Sequence, residues 1–234
     1  MPSIFERREV KYVMTKEQYE KLMSAIRDQL VEEEFFKYKI LNIYYDTKNF
    51  DLFRKSSEKP EFKEKLRVRN YGEVEDGKKV FLEVKKKYKG IVYKRRIELE
   101  REEVYEAIRK RELPMQLKTI NQREIGMFLK RYELEPQVYL SYDREAYQWK
   151  TNPDFRMTFD QNIRYRLNDV LFEEGDEGEH ILDKDKVLME LKCLNSLPLE
   201  FSRLLSALGI FNVSFSKIGS VYKKVILPEL RKNK

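Results

Sequence analysis

The sequence predicts an α+β fold: an eight-stranded antiparallel β-barrel with helices packed on its outside. Three observations carry this expectation. Eight short segments read as strands, near residues 4–12, 39–46, 62–71, 78–87, 91–100, 137–147, 154–161 and 186–194, and in most of them charged and apolar residues alternate with period two. Turn-forming stretches at 55–60, 72–77, 89–90, 151–153 and 173–185 separate many of them in hairpin-like succession, which favours an antiparallel meander or barrel over a parallel α/β sheet. Helical patterns between the strands offer apolar stripes to one face of such a sheet, and closure would leave no exposed edge.

Residues two apart on a strand share a face, so the first strand groups Arg7, Glu9 and Lys11 opposite Val10 and Tyr12. A helix follows. Thr15-Lys16-Glu17-Gln18 is a capping box, in which the threonine hydroxyl and the glutamine side chain each satisfy a first-turn backbone donor. Tyr19, Leu22, Met23, Ile26 and Leu30 continue at helical spacing and form the stripe that meets the sheet. In the strand at 62–71, Arg67 and Arg69 lie together; at 78–87, Glu83 and Lys85 oppose Leu82 and Val84; at 91–100, Lys94, Arg96 and Glu98 oppose Tyr93, Ile97 and Leu99. Weaker helical patterns occupy 102–111 and about 116–131. Later, Arg156, Thr158 and Asp160 alternate with Phe155, Met157 and Phe159, and Glu190 and Lys192 alternate with Met189 and Leu191. A further helical pattern spans 200–208, and the basic tail from about residue 216 ends in a helix. No repeat, low-complexity tract or Pro/Gly/Ser linker divides the chain, so residues 1–234 are expected to form one domain.

Charged residues make up 38% of the sequence, against an ordinary share of about a quarter. The net charge is +7 and the pI about 9.1, which points to an anionic partner: nucleic acid, an acidic membrane surface or a phosphorylated small molecule. Cys193 is the only cysteine, so an internal disulfide framework is excluded; in its strand-like setting it reads as core filler and fits a reducing, cytoplasmic location. No apolar leader region opens the sequence, and no run approaches the roughly 18 apolar residues of a membrane span. His180, the only histidine, lies in an acidic loop, which argues against a histidine metal centre or a Ser/His nucleophile. Gly72 and Gly77 read as turn glycines rather than a phosphate loop, and Asp183-Lys184-Asp185 before Glu190 lacks the glycine of an EF-hand loop. The charges at 223–224 and 231–234 read as solvated surface, or as a tail that steers polyanions.

The charged strand faces leave two readings open. In one, a half-buried sheet turns them to water. In the other, the sheet closes with its helices outside and the charged faces line a lumen. The second requires anions, because isolated buried charges are costly. A chain of phosphates would supply about one negative charge per unit, together with acceptor oxygens for guanidinium and ammonium groups.

Nine short motifs then follow one another in order along nearly the whole chain. They are Arg7-Arg8-Glu9-Val10-Lys11-Tyr12, Tyr44-Tyr45-Asp46-Thr47, Leu66-Arg67-Val68-Arg69-Asn70-Tyr71, Leu82-Glu83-Val84-Lys85, Lys94-Arg95-Arg96, Tyr142-Asp143-Arg144, Arg156-Met157-Thr158-Phe159-Asp160, Met189-Glu190-Leu191-Lys192 and Phe215-Ser216-Lys217. In this order they resemble the VTC domain, the catalytic module of the vacuolar transporter chaperone polyphosphate polymerase, within the CYTH-like triphosphate tunnel metalloenzymes. The resemblance implies an eight-stranded antiparallel tunnel that binds triphosphate, needs Mn²⁺ or Mg²⁺, and moves the γ-phosphoryl group of ATP onto a growing polyphosphate chain. Matched motif to motif, Lys11, Arg67, Arg69, Lys85, Lys94, Arg96, Arg156, Lys192 and Lys217 would be phosphate ligands. The catalytic set would be Arg67, Arg69, Lys85, Lys94 and Arg156 with Glu190. Glu190 would be the principal metal ligand, while Glu9 and Glu83 would hold a second metal, orient water or balance neighbouring lysines. Arg7 stands where the hydrolase branch carries the first glutamate of Glu-x-Glu-x-Lys, which favours the polymerase branch. The implied partners are ATP or another triphosphate and inorganic polyphosphate. With neither an SPX regulatory domain nor a hydrophobic segment in view, a separate membrane protein would mediate any export, and the chain would be peripheral to the membrane through it.

Phosphoryl transfer asks mainly for positioning and charge stabilisation. A terminal phosphate ionises with a pKa of about 6, so polymerisation needs no general base. Hydrolysis would need Glu9 or Glu83 to activate water. The alternatives are therefore a triphosphatase acting on nucleoside or inorganic triphosphate, and a polyphosphate-binding module without turnover. A nucleic-acid module with Tyr12, Tyr44, Tyr71 and Tyr93 as a stacking platform is a third, against which the interspersed Glu9, Glu83 and Glu190 argue.

Overall fold

The computed structural model describes residues 8–58, 60–74, 77–89, 91–194 and 197–232. In chain order the elements are β1 (Arg8–Thr15), α1 (Lys16–Ile26), β2 (Leu30–Asp46), α2 (Asp51–Ser57), β3 (Phe62–Tyr71), β4 (Lys79–Tyr88), β5 (Ile91–Glu100), α3 (Arg101–Lys110), α4 (Ile120–Arg131), β6 (Glu135–Trp149), β7 (Asn152–Arg166), β8 (Glu179–His180), β9 (Lys186–Cys193), α5 (Leu199–Ala207), α6 (Lys217–Val221) and α7 (Leu227–Lys232). The strand order is β1-β9-β7-β6-β2-β3-β4-β5, with β8 paired to β7. The pairings β1–β9, β2–β3, β3–β4, β4–β5, β7–β8 and β7–β9 are all antiparallel, so the α+β class and its antiparallel sheet are as the period-two pattern predicts. Contacts gather the chain into two compact units, and β2, β6 and β7 each contribute residues to both.

The first unit holds the described residues up to Lys39, with Tyr142–Ile163 and Leu182–Phe215. Here β1 runs antiparallel to β9, from Arg8 opposite Cys193 to Thr15 opposite Lys186. The capping box forms as read: Gln18 N donates to Thr15 Oγ1 at 3.1 Å and Thr15 N to Gln18 Oε1 at 2.9 Å. Leu22 and Ile26 of α1 then pack with Met14, Met157, Phe159, Met189 and Leu191, and the Cys193 side chain fills the same core. The expected helical stripe ends sooner than its apolar pattern does. A 3₁₀ turn at Arg27–Gln29 follows Ile26, and Leu30 reaches the core as the first residue of β2. The strand expected at 39–46 therefore begins at Leu30. Most residues from 31 to 37 are exposed, so no buried face imposes alternation on them.

The second unit holds Ile40–Ser141, Arg164–Ile181 and the described residues from Ser216. Strands β3, β4 and β5 form a meander whose apolar face, with Leu66, Val68, Leu82, Val84 and Leu99, packs under Val104 and Ile108 of α3 and Ile125 and Phe128 of α4. Both helices start on capping boxes, Glu100 with Glu103 and Thr119 with Gln122. Gly72 and Gly77 adopt φ of 74° and 71°, the left-handed turn geometry that suits glycine. The first strand, expected at 4–12, is described from Arg8 to Thr15. Arg7, Gly90 and the last two tail residues lie outside the described residues. Among the described residues no helix is long and apolar enough to cross a membrane.

Candidate functional site

Each unit carries a charged strand face opposite its helix-covered one. In the second unit the register lines up Tyr44, Arg67, Glu83 and Arg96 across β2, β3, β4 and β5. The adjacent row on the same face is Lys65, Lys85 and Lys94. This face does not simply meet water: Glu83 is 1% exposed and Arg69 is also buried. Arg67 Nε donates to Glu83 Oε2 at 2.7 Å, Lys94 Nζ lies 2.7 Å from Glu83 Oε1, and Arg96 donates to the same oxygen. Burial alone would raise the Glu83 carboxyl, but Arg67, Arg69 and Lys94 outweigh it and hold the group far below the usual carboxylate range.

Uncharged partners aim the guanidinium groups. Arg69 Nε donates to Asn42 Oδ1 at 2.9 Å, and Asn42 Nδ2 donates to Leu140 O at 3.0 Å, so the amide is itself fixed. Arg96 Nη2 donates to the Tyr71 hydroxyl at 2.9 Å and its guanidinium lies 4.3 Å from the centre of the Phe81 ring. Arg67 Nη1 donates to the Tyr44 hydroxyl at 3.2 Å. Burial would push the Tyr44 phenol up, yet Arg67, Arg69 and Lys65 bring it down to about 8.

In the first unit the rows are Glu9, Lys192 and Arg156, and beside it Lys11, Glu190 and Thr158, across β1, β9 and β7. Lys11 Nζ lies 3.2 Å from Glu190 Oε1 and 3.3 Å from Glu9 Oε1. Glu190 is 8% exposed, and its other oxygen is 3.6 Å from Arg144 Nη2. Arg144 grips Asp160 with both arms of its fork, at 2.6 and 2.7 Å. Thr158 Oγ1 is buried beside Glu190 with no hydrogen-bond partner among the described residues. Arg156 is more open, with Nε 3.7 Å from Glu33 Oε1. A cavity of about 350 Å³ in this unit is lined by Arg144 with Lys37, Lys39, Asp143 and Asn162.

The expected site residues thus fall into two sets. Arg67, Arg69, Glu83, Lys85, Lys94 and Arg96 share one face in the second unit; Glu9, Lys11, Arg156, Glu190 and Lys192 share one in the first. Lys217 is buried at the start of α6, after an N-cap in which Gly219 N donates to Ser216 Oγ at 3.2 Å. Lys65, outside the expected set, precedes Arg67 at the same two-residue spacing and shares its face. Arg144 and Asp160, also outside that set, pair in a way that is visible only once β6 and β7 are in place.

Among the described residues no three His, Cys, Asp or Glu side chains converge as a metal cage. Glu9 and Glu190 nevertheless meet on one ammonium, which marks a cation position with two carboxylates. Such a donor set fits Mg²⁺ or Mn²⁺, which take one or two carboxylates and complete their shell with water and substrate phosphates.

The VTC domain family matches residues 6–226 of this chain. No curated protein matches the sequence. Among solved structures, the chain resembles a candidate adenylate cyclase from Bacillus halodurans at 17% identity and a TM-score of 0.52, with 89% of this chain and 92% of that chain covered. It also resembles a candidate adenylyl cyclase from Hippeastrum, described as having a dominant triphosphatase activity. Identity is 16% and the TM-score 0.54, over 92% of this chain and 94% of that one. At these identities the likeness is one of fold.

Proposed function

The chain belongs to the VTC domain family, and from that premise we propose that it transfers the γ-phosphoryl group of ATP onto inorganic polyphosphate, with Mn²⁺ or Mg²⁺ bound. The observation that supports this most is the row Lys65, Lys85 and Lys94 beside the row Arg67, Glu83 and Arg96. Like charges directly opposite on neighbouring strands repel. A polyanion lying on the face turns that repulsion into attraction, and Glu83 offsets only part of it. Arg67, Arg69 and Arg96 supply oriented forks for the phosphate oxygens; Lys85, Lys94 and Lys217 supply point charges. Lys11, Arg156 and Lys192 do the same in the first unit. Glu190 with Glu9 holds the metal, which when bound neutralises charge on the phosphate oxygens.

Polymerisation is favoured over hydrolysis by the state of Glu83. Engaged by Arg67, Lys94 and Arg96, and held ionised far below the usual range, it is a poor proton acceptor. Its role is to balance cations. A polyphosphate terminus needs no base, whereas water does. Glu9, beside Glu190, is the remaining candidate for a triphosphatase, the second reading that the Hippeastrum relative supports. On the primary reading the reaction is cytoplasmic, and any passage through a membrane runs through a separate protein. Single turnovers with ATP, Mn²⁺ and a polyphosphate primer separate the two. Acid-stable chains are expected; ADP with orthophosphate and no chain growth would sink the polymerase reading.

A further inference from the structure

The β4–β5 hairpin ends in a surface that phosphate binding does not explain. Residues 85–96 read Lys-Lys-Lys-Tyr-Lys-Gly-Ile-Val-Tyr-Lys-Arg-Arg, without a carboxylate. At its end Tyr88, Ile91, Val92 and Tyr93 are 40–49% exposed. The register sets Tyr88 opposite Ile91, Lys87 opposite Val92 and Lys86 opposite Tyr93. Tyr88, Ile91 and Tyr93 therefore continue the face that carries Val84 and Leu99 into the core, while Val92 continues the face of Lys94 and Arg96. The hairpin end is apolar on both faces, which a strand covered on one side only does not need. Its cations divide in the same way. Glu124 holds Lys86 and Arg95 at 2.9 and 2.8 Å, and Glu83 holds Lys94 and Arg96. Lys87 and Lys89 are exposed, with the Lys89 ammonium 5.6 Å from the centre of the Tyr88 ring.

We infer that the end of the β4–β5 hairpin docks on an anionic lipid surface. Tyr88, Ile91, Val92 and Tyr93 enter the boundary between headgroups and acyl chains, and Lys87 and Lys89 meet the anionic headgroups. Charge complementarity selects this occupant together with the apolar residues. A polyphosphate chain would satisfy the lysines but gives nothing to Ile91 or Val92, whereas an acidic bilayer interface matches both, and tyrosine is suited to such a boundary by its apolar ring and polar tip. Each lysine near an anionic leaflet strengthens binding about fivefold, and the small apolar area keeps the contact reversible. Docking does not depend on which phosphoryl acceptor the protein uses.

Co-sedimentation of the full chain with phosphatidylcholine vesicles, with and without phosphatidylserine, tests the inference. Binding is expected only with phosphatidylserine and is expected to weaken as salt is raised. The Lys87→Gln and Lys89→Gln changes should each weaken it about fivefold. The Ile91→Ser/Val92→Ser variant should lose it while ATP turnover in solution stays at the wild-type rate, and Val92→Trp should show a blue-shifted emission on binding. Absence of binding by the wild-type chain would overturn the proposal. So would undiminished binding by the serine variant that tripolyphosphate competes away, since the charged strand faces would then be the contact.

Discussion

Arg67 Nε donates to Glu83 Oε2 at 2.7 Å, joining neighbouring strands through a carboxylate that is 1% exposed and shared with Lys94 and Arg96. Because the folded-state pKa of Glu83 lies below its unfolded value, the stabilisation is present above the ordinary carboxylate pKa of about 4.3 and is lost as pH falls through the folded value. Glu83→Gln leaves the cations without their counter-charge. It is expected to cost about 3 kcal/mol at neutral pH and to flatten the acid limb of the stability profile. Urea unfolding at a series of pH values measures both, and tripolyphosphate should stabilise the variant more than the wild type. An acid limb as steep as the wild type's would remove Glu83 from this role.

Tyr44 reports on the same cations. Its phenol, brought down to about 8 by Arg67, Arg69 and Lys65 against the effect of burial, should titrate well before most of the other tyrosines. Phosphates bound to those groups withdraw part of the positive field, so tripolyphosphate should move the titration upward. Ultraviolet difference spectra between pH 7 and 9 follow it, with Tyr44→Phe as the control. A titration that tripolyphosphate leaves in place would show that the anion binds elsewhere.

Much of this arrangement is legible in the sequence, because the period of two that separates Arg67 and Arg69 from Leu66 and Val68 also decides which residues go under the helices. The capping box at Thr15 marks a helix start just as directly. What escapes is whatever depends on strand partners. Lys11 is far from Glu190 along the chain, and Arg144 meets Asp160 only across consecutive strands, so neither pair has a signature within one element; the β1–β9 register and the β6 and β7 strands bring them together. The early half of β2 escapes for another reason: Val31 and Phe35 are exposed, so its apolar residues mark no buried face.

Lys65 separates binding from stability. Opposite Lys85, which is opposite Lys94, it adds a like charge to the row. Lys65→Met removes one cation of that row and should change the stability of the unliganded protein by no more than about 1 kcal/mol. The same change should weaken tripolyphosphate binding about tenfold, the worth of one charge-assisted hydrogen bond. Calorimetric titration beside urea unfolding reads the two effects. A parallel loss of stability and affinity would make Lys65 a packing residue.

Glu190 is expected to carry the metal. Glu190→Gln keeps the size of the side chain and a carbonyl oxygen near Lys11 but removes the charge, so the fold should survive. Affinity for Mn²⁺ should fall at least about 100-fold, as metal-dependent turnover should. Electron paramagnetic resonance of free Mn²⁺ in the presence of tripolyphosphate measures the affinity directly. Unchanged binding would move the metal away from Glu190.

Arg144 and Asp160 offer the sharpest separation of structure from chemistry. The fork of Arg144 satisfies both oxygens of a carboxylate that is 0% exposed, while one of its nitrogens lies 3.6 Å from Glu190. A lysine keeps the charge but makes only a point contact, so Arg144→Lys should destabilise the protein by about 3 kcal/mol. Asp160→Asn should cost a similar amount, and the double variant less than the sum, with a coupling of about 1–3 kcal/mol. If Arg144 serves only Asp160, Mn²⁺ affinity follows stability in all three variants. If it also sets the charge of Glu190, Arg144→Lys should leave metal binding near the wild-type level, whereas Arg144→Met, which removes the cation, should strengthen it by freeing the carboxylate. Additive losses in the double variant would mean that the pair is not coupled.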